Sequence, residues 1–191
     1  MLIGVVTAKF NSEITFELER GAIRALKEGG FTDHQIWAIR VPGAVEIPLA
    51  AKALFNQGCD AVVTLGAVIR GETAHFDYVC QSVERGVTQL MLEVGKPIGF
   101  GVLTTENEDQ AFARTIGHHG NKGAEAAVTA LEMLELMGQI KKGPPHKSKR
   151  SVQSKSSVPG KNRGPKASPK LQRPKKTSSS SKATQKAKSR K

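Results

Sequence analysis

No stretch of this chain is apolar for long enough to cross a membrane, since none approaches the roughly 18 residues such a helix needs. The apolar start, Met1 to Val6, is too short for a secretory core segment and has no basic residues ahead of it. Cysteine is scarce. Cys59 and Cys80 are the only two, without CxxC spacing or clustered histidine. That excludes a disulfide framework or a zinc module and predicts two reduced, largely buried thiols in a cytoplasmic protein. No phosphate-cradling GxxxxGK loop, GxSxG elbow or metal-ligand spacing occurs, so neither cofactor nor metal is expected. The last part of the chain lacks something else: from Lys141 to Lys191 there are 18 Lys and Arg, no Asp or Glu, and no aromatic residue.

That absence divides the chain. The whole carries 29 Lys and Arg against 17 Asp and Glu. Residues 1–140 therefore keep 11 basic residues against 17 acidic, and the strongly basic character belongs to the tail alone. Residues 1–140 read as one globular domain. Residues 141–191, dominated by Lys, Arg, Ser and Pro, have too little apolar surface to offset chain entropy and are expected to be disordered. Such a tail suits a weak, salt-sensitive, non-specific contact with a polyanion. Without aromatics it offers nothing on which bases could stack.

Within the domain, apolar runs alternate with helical patterns. Leu2 to Ala8 reads as a strand, and Asn11 and Ser12 as N-caps of a helix carrying Ile14, Leu18, Ala22, Ala25 and Leu26 on one face until Gly29 and Gly30 stop it. Ile36 to Val41 is a second strand, followed by a helix with Pro48 in its first turn. Asp60 to Ile69 is a third strand, apolar enough to be buried on both faces. A helix over 74–94, a strand over 98–103, and helices over 107–116 and 122–137 complete the pattern. Continuous apolar strands alternating with helices predict an α/β fold: a three-layer sandwich on a four-stranded parallel sheet, flavodoxin-like. Ligands of such sheets bind beyond the carboxyl ends of the strands. The loops of interest are then 9–11, 42–46, 70–75 and 104–107.

Four features in those loops could carry chemistry. Phe10 is an aromatic ring at a strand end, beside a helix start, or simply a core residue. Glu46 at a helix start is favoured by the helix dipole whatever else it does. The segment Gly71 to His75 turns backbone N–H groups toward the strand ends, which suits a phosphate. His75 is a proton-transfer candidate or an ordinary surface histidine. Arg114 and Lys122 are cations for a phosphate or two solvated charges. His118 and His119 read as surface residues.

The order and spacing of the stretches Phe10-Asn11, 41–48 (VPGAVEIP), 66–79 (GAVIRGETAHFDYV), 100–107 (FGVLTTEN) and 120–123 (GNKG) resemble the lumazine synthase family over roughly residues 3–138. The resemblance implies condensation of 5-amino-6-(D-ribitylamino)uracil with 3,4-dihydroxy-2-butanone 4-phosphate to 6,7-dimethyl-8-ribityllumazine, with loss of phosphate and water. It gives the ribitylaminouracil to Phe10, Ala44, Val45, Glu46, Ala67, Val68, Ile69 and Phe100, with Lys122 beside them. It gives the phosphate to the Glu72 and Thr73 amides, the Thr73 hydroxyl and Arg114, and proton transfer to His75. Phe100 is expected to reach in from a neighbouring subunit, and the Glu72 side chain to point away from the phosphate. The resemblance also implies a homo-oligomer, a pentamer or a 60-subunit shell. Relatives precede the first strand with an arm; here that strand starts at Leu2. Two other readings remain open at this point: a carrier of flavin-like ligands, and an assembly protein whose basic tail holds polyanions.

Overall fold

A computed structural model describes residues 1–144. The basic tail expected to be disordered lies, beyond residue 144, outside the described residues. Four strands, β1 (Ile3–Ala8), β2 (Ile36–Val41), β3 (Ala61–Ile69) and β4 (Ile98–Thr105), form one parallel sheet in the order β2-β1-β3-β4. The helices are α1 (Ser12–Glu28), α2 (Ile47–Asn56), α3 (His75–Val94), α4 (Glu108–Phe112) and α5 (Lys122–Lys141), with short 3-10 turns at Asp33–Gln35 and Ala44–Glu46. Ile3 pairs with Ile36 on one side and Ala61 on the other, and Val62 with Ile98. Among the described residues no helix is long and apolar enough to cross a membrane.

Alternation along the strands makes the three layers. Successive side chains leave opposite faces of a sheet. Ile3, Val5, Ala61, Val63 and Leu65 therefore meet α1 and α5 in one core, while Val6, Ala8, Val62 and Val102 meet α2 and α3 in another. On α1 the buried positions Ile14, Leu18, Ala22, Ala25 and Leu26 are the stripe that helical spacing predicts. Emptying such a site costs about 2–5 kcal/mol for a Leu-to-Ala change.

β2 is an edge strand, with Trp37, Ala38 and Arg40 exposed. It is held by Arg40, whose guanidinium donates to both oxygens of the buried Glu19 at 2.8 and 3.1 Å and lies over the Phe16 ring. Asn11 stands at the N-cap of α1, yet its side chain caps nothing there. The helix expected over 107–116 ends at Phe112. There the Thr115 hydroxyl takes the Phe112 carbonyl at 3.0 Å, and tighter turns follow to Gly120. Finally, α5 runs on to Lys141 rather than stopping at Met137.

The 120–123 stretch serves packing. Asn121 caps α5 by accepting from the Ala124 N–H at 2.9 Å, and its amide nitrogen donates to Glu17 O at 2.9 Å and Thr115 O at 3.0 Å. It lies against Gly21, where any Cβ would run into its side chain; a Cβ on Gly123 would likewise strike the Leu18 carbonyl. The two helices approach this closely because a glycine on each leaves room for the other's Asn121 side chain or Leu18 backbone.

Candidate functional site

The order β2-β1-β3-β4 places the crossover to β2 and the crossover to β3 on opposite sides of β1. A crevice opens at that switch point, beyond the carboxyl ends of the strands. There lies a cavity of about 390 Å³. It is lined by Phe10 from the exit of β1, by Gly43, Ala44, Val45 and Glu46 after β2, by Ala67, Val68 and Ile69 at the end of β3, and by Gly71, Thr73, His75, Phe76 and Val79 from the loop and first turns of α3.

The loops are fixed locally. Lys9 and Phe10 donate their N–H groups to Val41 O and Pro42 O at 2.8 and 3.1 Å, so the exit of β1 stays paired with that of β2. Phe10 is nevertheless 71% exposed. A large ring held in water beside a cavity is a stacking surface without a partner. Pro42 and Gly43 end β2, and the Glu46 carboxylate bends back to accept from the Gly43 N–H at 2.9 Å, which leaves its other oxygen for a ligand. The loop after β3 is clamped by Arg70. Its guanidinium reaches Glu106 at 2.8 Å and Asp77 at 3.1 and 3.3 Å, and covers the Phe76 ring, while its N–H meets Thr105 O. The hydrogen bonds to Asp77, more than its charge, hold Arg70 more firmly protonated than a free guanidinium. This cation is engaged by two carboxylates and is not offered to a ligand.

Beyond Arg70 the chain turns through Gly71 to Ala74 into α3. Among the described residues, the N–H groups of Glu72 and Thr73 donate to no backbone acceptor. They precede a 20-residue helix, whose unpaired N–H groups and dipole favour an anion. Thr73 adds its hydroxyl, 3.4 Å from the His75 N–H, and His75 is the first residue of the helix, exposed on the cavity wall. An exposed aromatic ring, the Thr73 N–H and hydroxyl ahead of a helix, and an imidazole thus share one cavity.

Of the residues singled out in the sequence, Phe10, Ala44, Val45, Glu46, Ala67, Val68, Ile69, Thr73 and His75 come together. Glu72 lies in the loop between Gly71 and Thr73, but is not a lining residue. Phe100, Lys122 and Arg114 do not join the cavity of their own chain. Phe100 is 44% exposed on the edge strand β4. Arg114 folds back to donate to Gln110 O at 2.8 Å, and Lys122 pairs with Glu125 at 2.7 Å. The lining consequently holds no lysine or arginine. The fourth loop, 104–107, contributes no lining residue either; it anchors Arg70 through Glu106. Sequence reasoning left Phe76 and Val79 without a role. The signal that could have placed Val79 is its spacing on α3, four residues from His75 and three from Phe76, since positions three and four apart share a helix face.

Comparison with known proteins adds to this geometry. The family model for 6,7-dimethyl-8-ribityllumazine synthase matches residues 1–138. A 6,7-dimethyl-8-ribityllumazine synthase of Bdellovibrio bacteriovorus is 61% identical over 138 residues, covering 72% of this chain and 76% of its own. Another, of Cytophaga hutchinsonii, is 49% identical over 134 residues, covering 70% and 84%. The matched stretch contains every strand and every loop that builds the cavity. The chain belongs to the 6,7-dimethyl-8-ribityllumazine synthase family.

Proposed function

We propose that this chain condenses 5-amino-6-(D-ribitylamino)uracil with 3,4-dihydroxy-2-butanone 4-phosphate to 6,7-dimethyl-8-ribityllumazine, releasing phosphate and water, without a cofactor. The observation that carries the reading is the cavity joining the exposed Phe10 ring, Thr73 with its unpaired N–H ahead of α3, and His75. Phe10 stacks on the pyrimidine. Ala44, Val45 and Glu46 hold the uracil and ribityl groups, the free Glu46 oxygen accepting from hydroxyls. Ala67, Val68 and Ile69 form the floor. The Glu72 and Thr73 amides and the Thr73 hydroxyl take the phosphate, and His75 moves protons as the amine attacks the ketone, phosphate leaves and the ring closes. An amine and a ketone react in water unaided, so positioning supplies much of the acceleration. A carrier role explains the ring site but leaves the anion site beside His75 unused.

A phosphate dianion on two amides and a hydroxyl still wants a cation, and the cavity supplies none of its own. Arg114, with Lys122 beside it, fills that place in a neighbouring copy, and Phe100 closes the neighbour's pocket. The functional unit is then a homo-oligomer, with the family's pentamer as its form. The test is lumazine fluorescence from the two substrates above the uncatalysed background; a well-folded chain at background overturns the reading. Arg114→Ala raises the KM for the phosphate substrate while that for the pyrimidine holds. Co-assembly of Arg114→Ala with His75→Ala chains regains activity, because some pockets then hold His75 from one chain and Arg114 from another. Mixtures no better than their separate components would put Arg114 on its own chain's pocket or none.

A further inference from the structure

Asn11 has the only positive φ outside glycine among the described residues, with φ 57° and ψ 48°. A side chain in that left-handed region is disfavoured, least so for Asn, and such conformations gather where surrounding structure over-determines them. Here the surroundings are the cavity. The Asn11 carbonyl accepts from the Ile14 and Thr15 N–H groups at 3.0 Å, as a helix start requires. Its amide nitrogen turns the other way and donates to Ala67 O at 2.9 Å, across a sequence separation of 56 residues.

That bond lies beyond the last ladder pair of β1 and β3, Thr7 with Leu65. It thus prolongs the strand pairing by a side chain where the backbone has already turned away. Ala67 belongs to the cavity floor and Phe10, the residue before Asn11, to its wall. We infer that Asn11 is a positioning residue for the pyrimidine site: its left-handed turn presents the Phe10 ring to the cavity, and its amide fixes the distance from that ring to the floor at Ala67. The amide does not itself line the cavity, so it acts through Phe10 and the floor. Holding the Ala67 carbonyl on Asn11 also leaves the polar recognition of the ring to the other backbone groups of the floor. This inference rests on the proposed pyrimidine site.

The two functions of Asn11 separate by substitution. Asn11→Gly keeps the turn and removes the amide. Asn11→Asp keeps the turn and the shape but sets a carboxylate against the Ala67 carbonyl. Each variant raises the KM for the ribitylaminouracil, by about two- to tenfold for Asn11→Gly, the range set by one hydrogen bond. The KM for the butanone phosphate stays at the wild-type value. A merely structural role would lower thermal stability and move both constants together, and that result, or a wild-type pyrimidine KM in both variants, overturns the inference. Binding of 6,7-dimethyl-8-ribityllumazine, followed by fluorescence, gives a second measure that needs no turnover. A wild-type chain that binds it, and binds it more tightly than Asn11→Gly, yet forms none, refutes the catalytic reading and leaves the positioning role standing. An active wild type with equal binding by the variant does the reverse.

Discussion

Asn121 and Gly21 form one device, and removing either should show it. Asn121→Ala forfeits the cap on α5, about 1 kcal/mol, and two part-buried bonds to Glu17 O and Thr115 O at about 1 kcal/mol each. The loss is therefore about 3 kcal/mol, and with a urea m value of about 1–3 kcal/mol per molar the midpoint falls by about 1–3 M. Gly21→Ala puts a methyl where the Asn121 side chain lies. It expels that side chain and loses the same bonds, but returns about 1 kcal/mol of helix propensity, for a net loss of about 2 kcal/mol. In the double variant the methyl occupies vacated space, so the loss stays near 2 kcal/mol instead of the additive 5, a coupling of about 3 kcal/mol. The assay is urea unfolding of all four proteins at one protein concentration, because association adds stability by mass action. Additive losses would show that the two residues do not share that space. The same variants matter for function, because Lys122 donates its N–H to Arg114 O at 2.9 Å, and a loosened start of α5 loosens the loop that carries Arg114.

Two further outcomes follow from the site and the core. His75→Ala slows lumazine formation by about 10²-fold, the usual worth of one positioned acid-base group, while positioning still lifts the rate above background; complete loss in a folded variant would mean that His75 does more than move protons. Burial pushes the Cys59 thiol above its ordinary value, with Lys96 opposing only in part. Stability linked to it is intact below the free thiol's value and declines as pH rises past that value, where the unfolded chain ionises first. Near neutral pH an alkylating reagent labels Cys59 in urea and spares it in the folded chain; equal rates in both would contradict its burial.

Period and apolar content made the sheet legible. β3 is continuous in Val, Leu and Ala, and the α1 stripe repeats at helical spacing, so both could be read without neighbours. β2 is mostly apolar apart from Arg40, and its place at the edge follows from the crossovers and not from any one strand. The helix after β4 stops short of its pattern, and the side-chain bonds made there to the Gln110 and Phe112 carbonyls leave no trace in periodicity. Much of the site was legible, because its residues cluster where strands end. The role of Asn11 was hidden: its side chain crosses to Ala67, a contact that local capping rules cannot foresee. Lys122 falls in a motif and Arg114 is a cation the resemblance offers to the phosphate, but only geometry reveals that they lie away from their own chain's cavity.

The cavity's walls, with one carboxylate and no cation, imply a division of labour. Under the proposed function, a subunit alone offers a flat molecule a ring and offers an anion only N–H groups and a hydroxyl, with no cation. Under the same proposed function, the charged reactant is recruited only where a second subunit's basic loop meets that surface, and commitment of the phosphate substrate would then report that assembly has taken place. A chain with a faulty basic loop would then spoil its neighbour's chemistry and keep its own, and mixed populations would lose activity according to who stands beside whom.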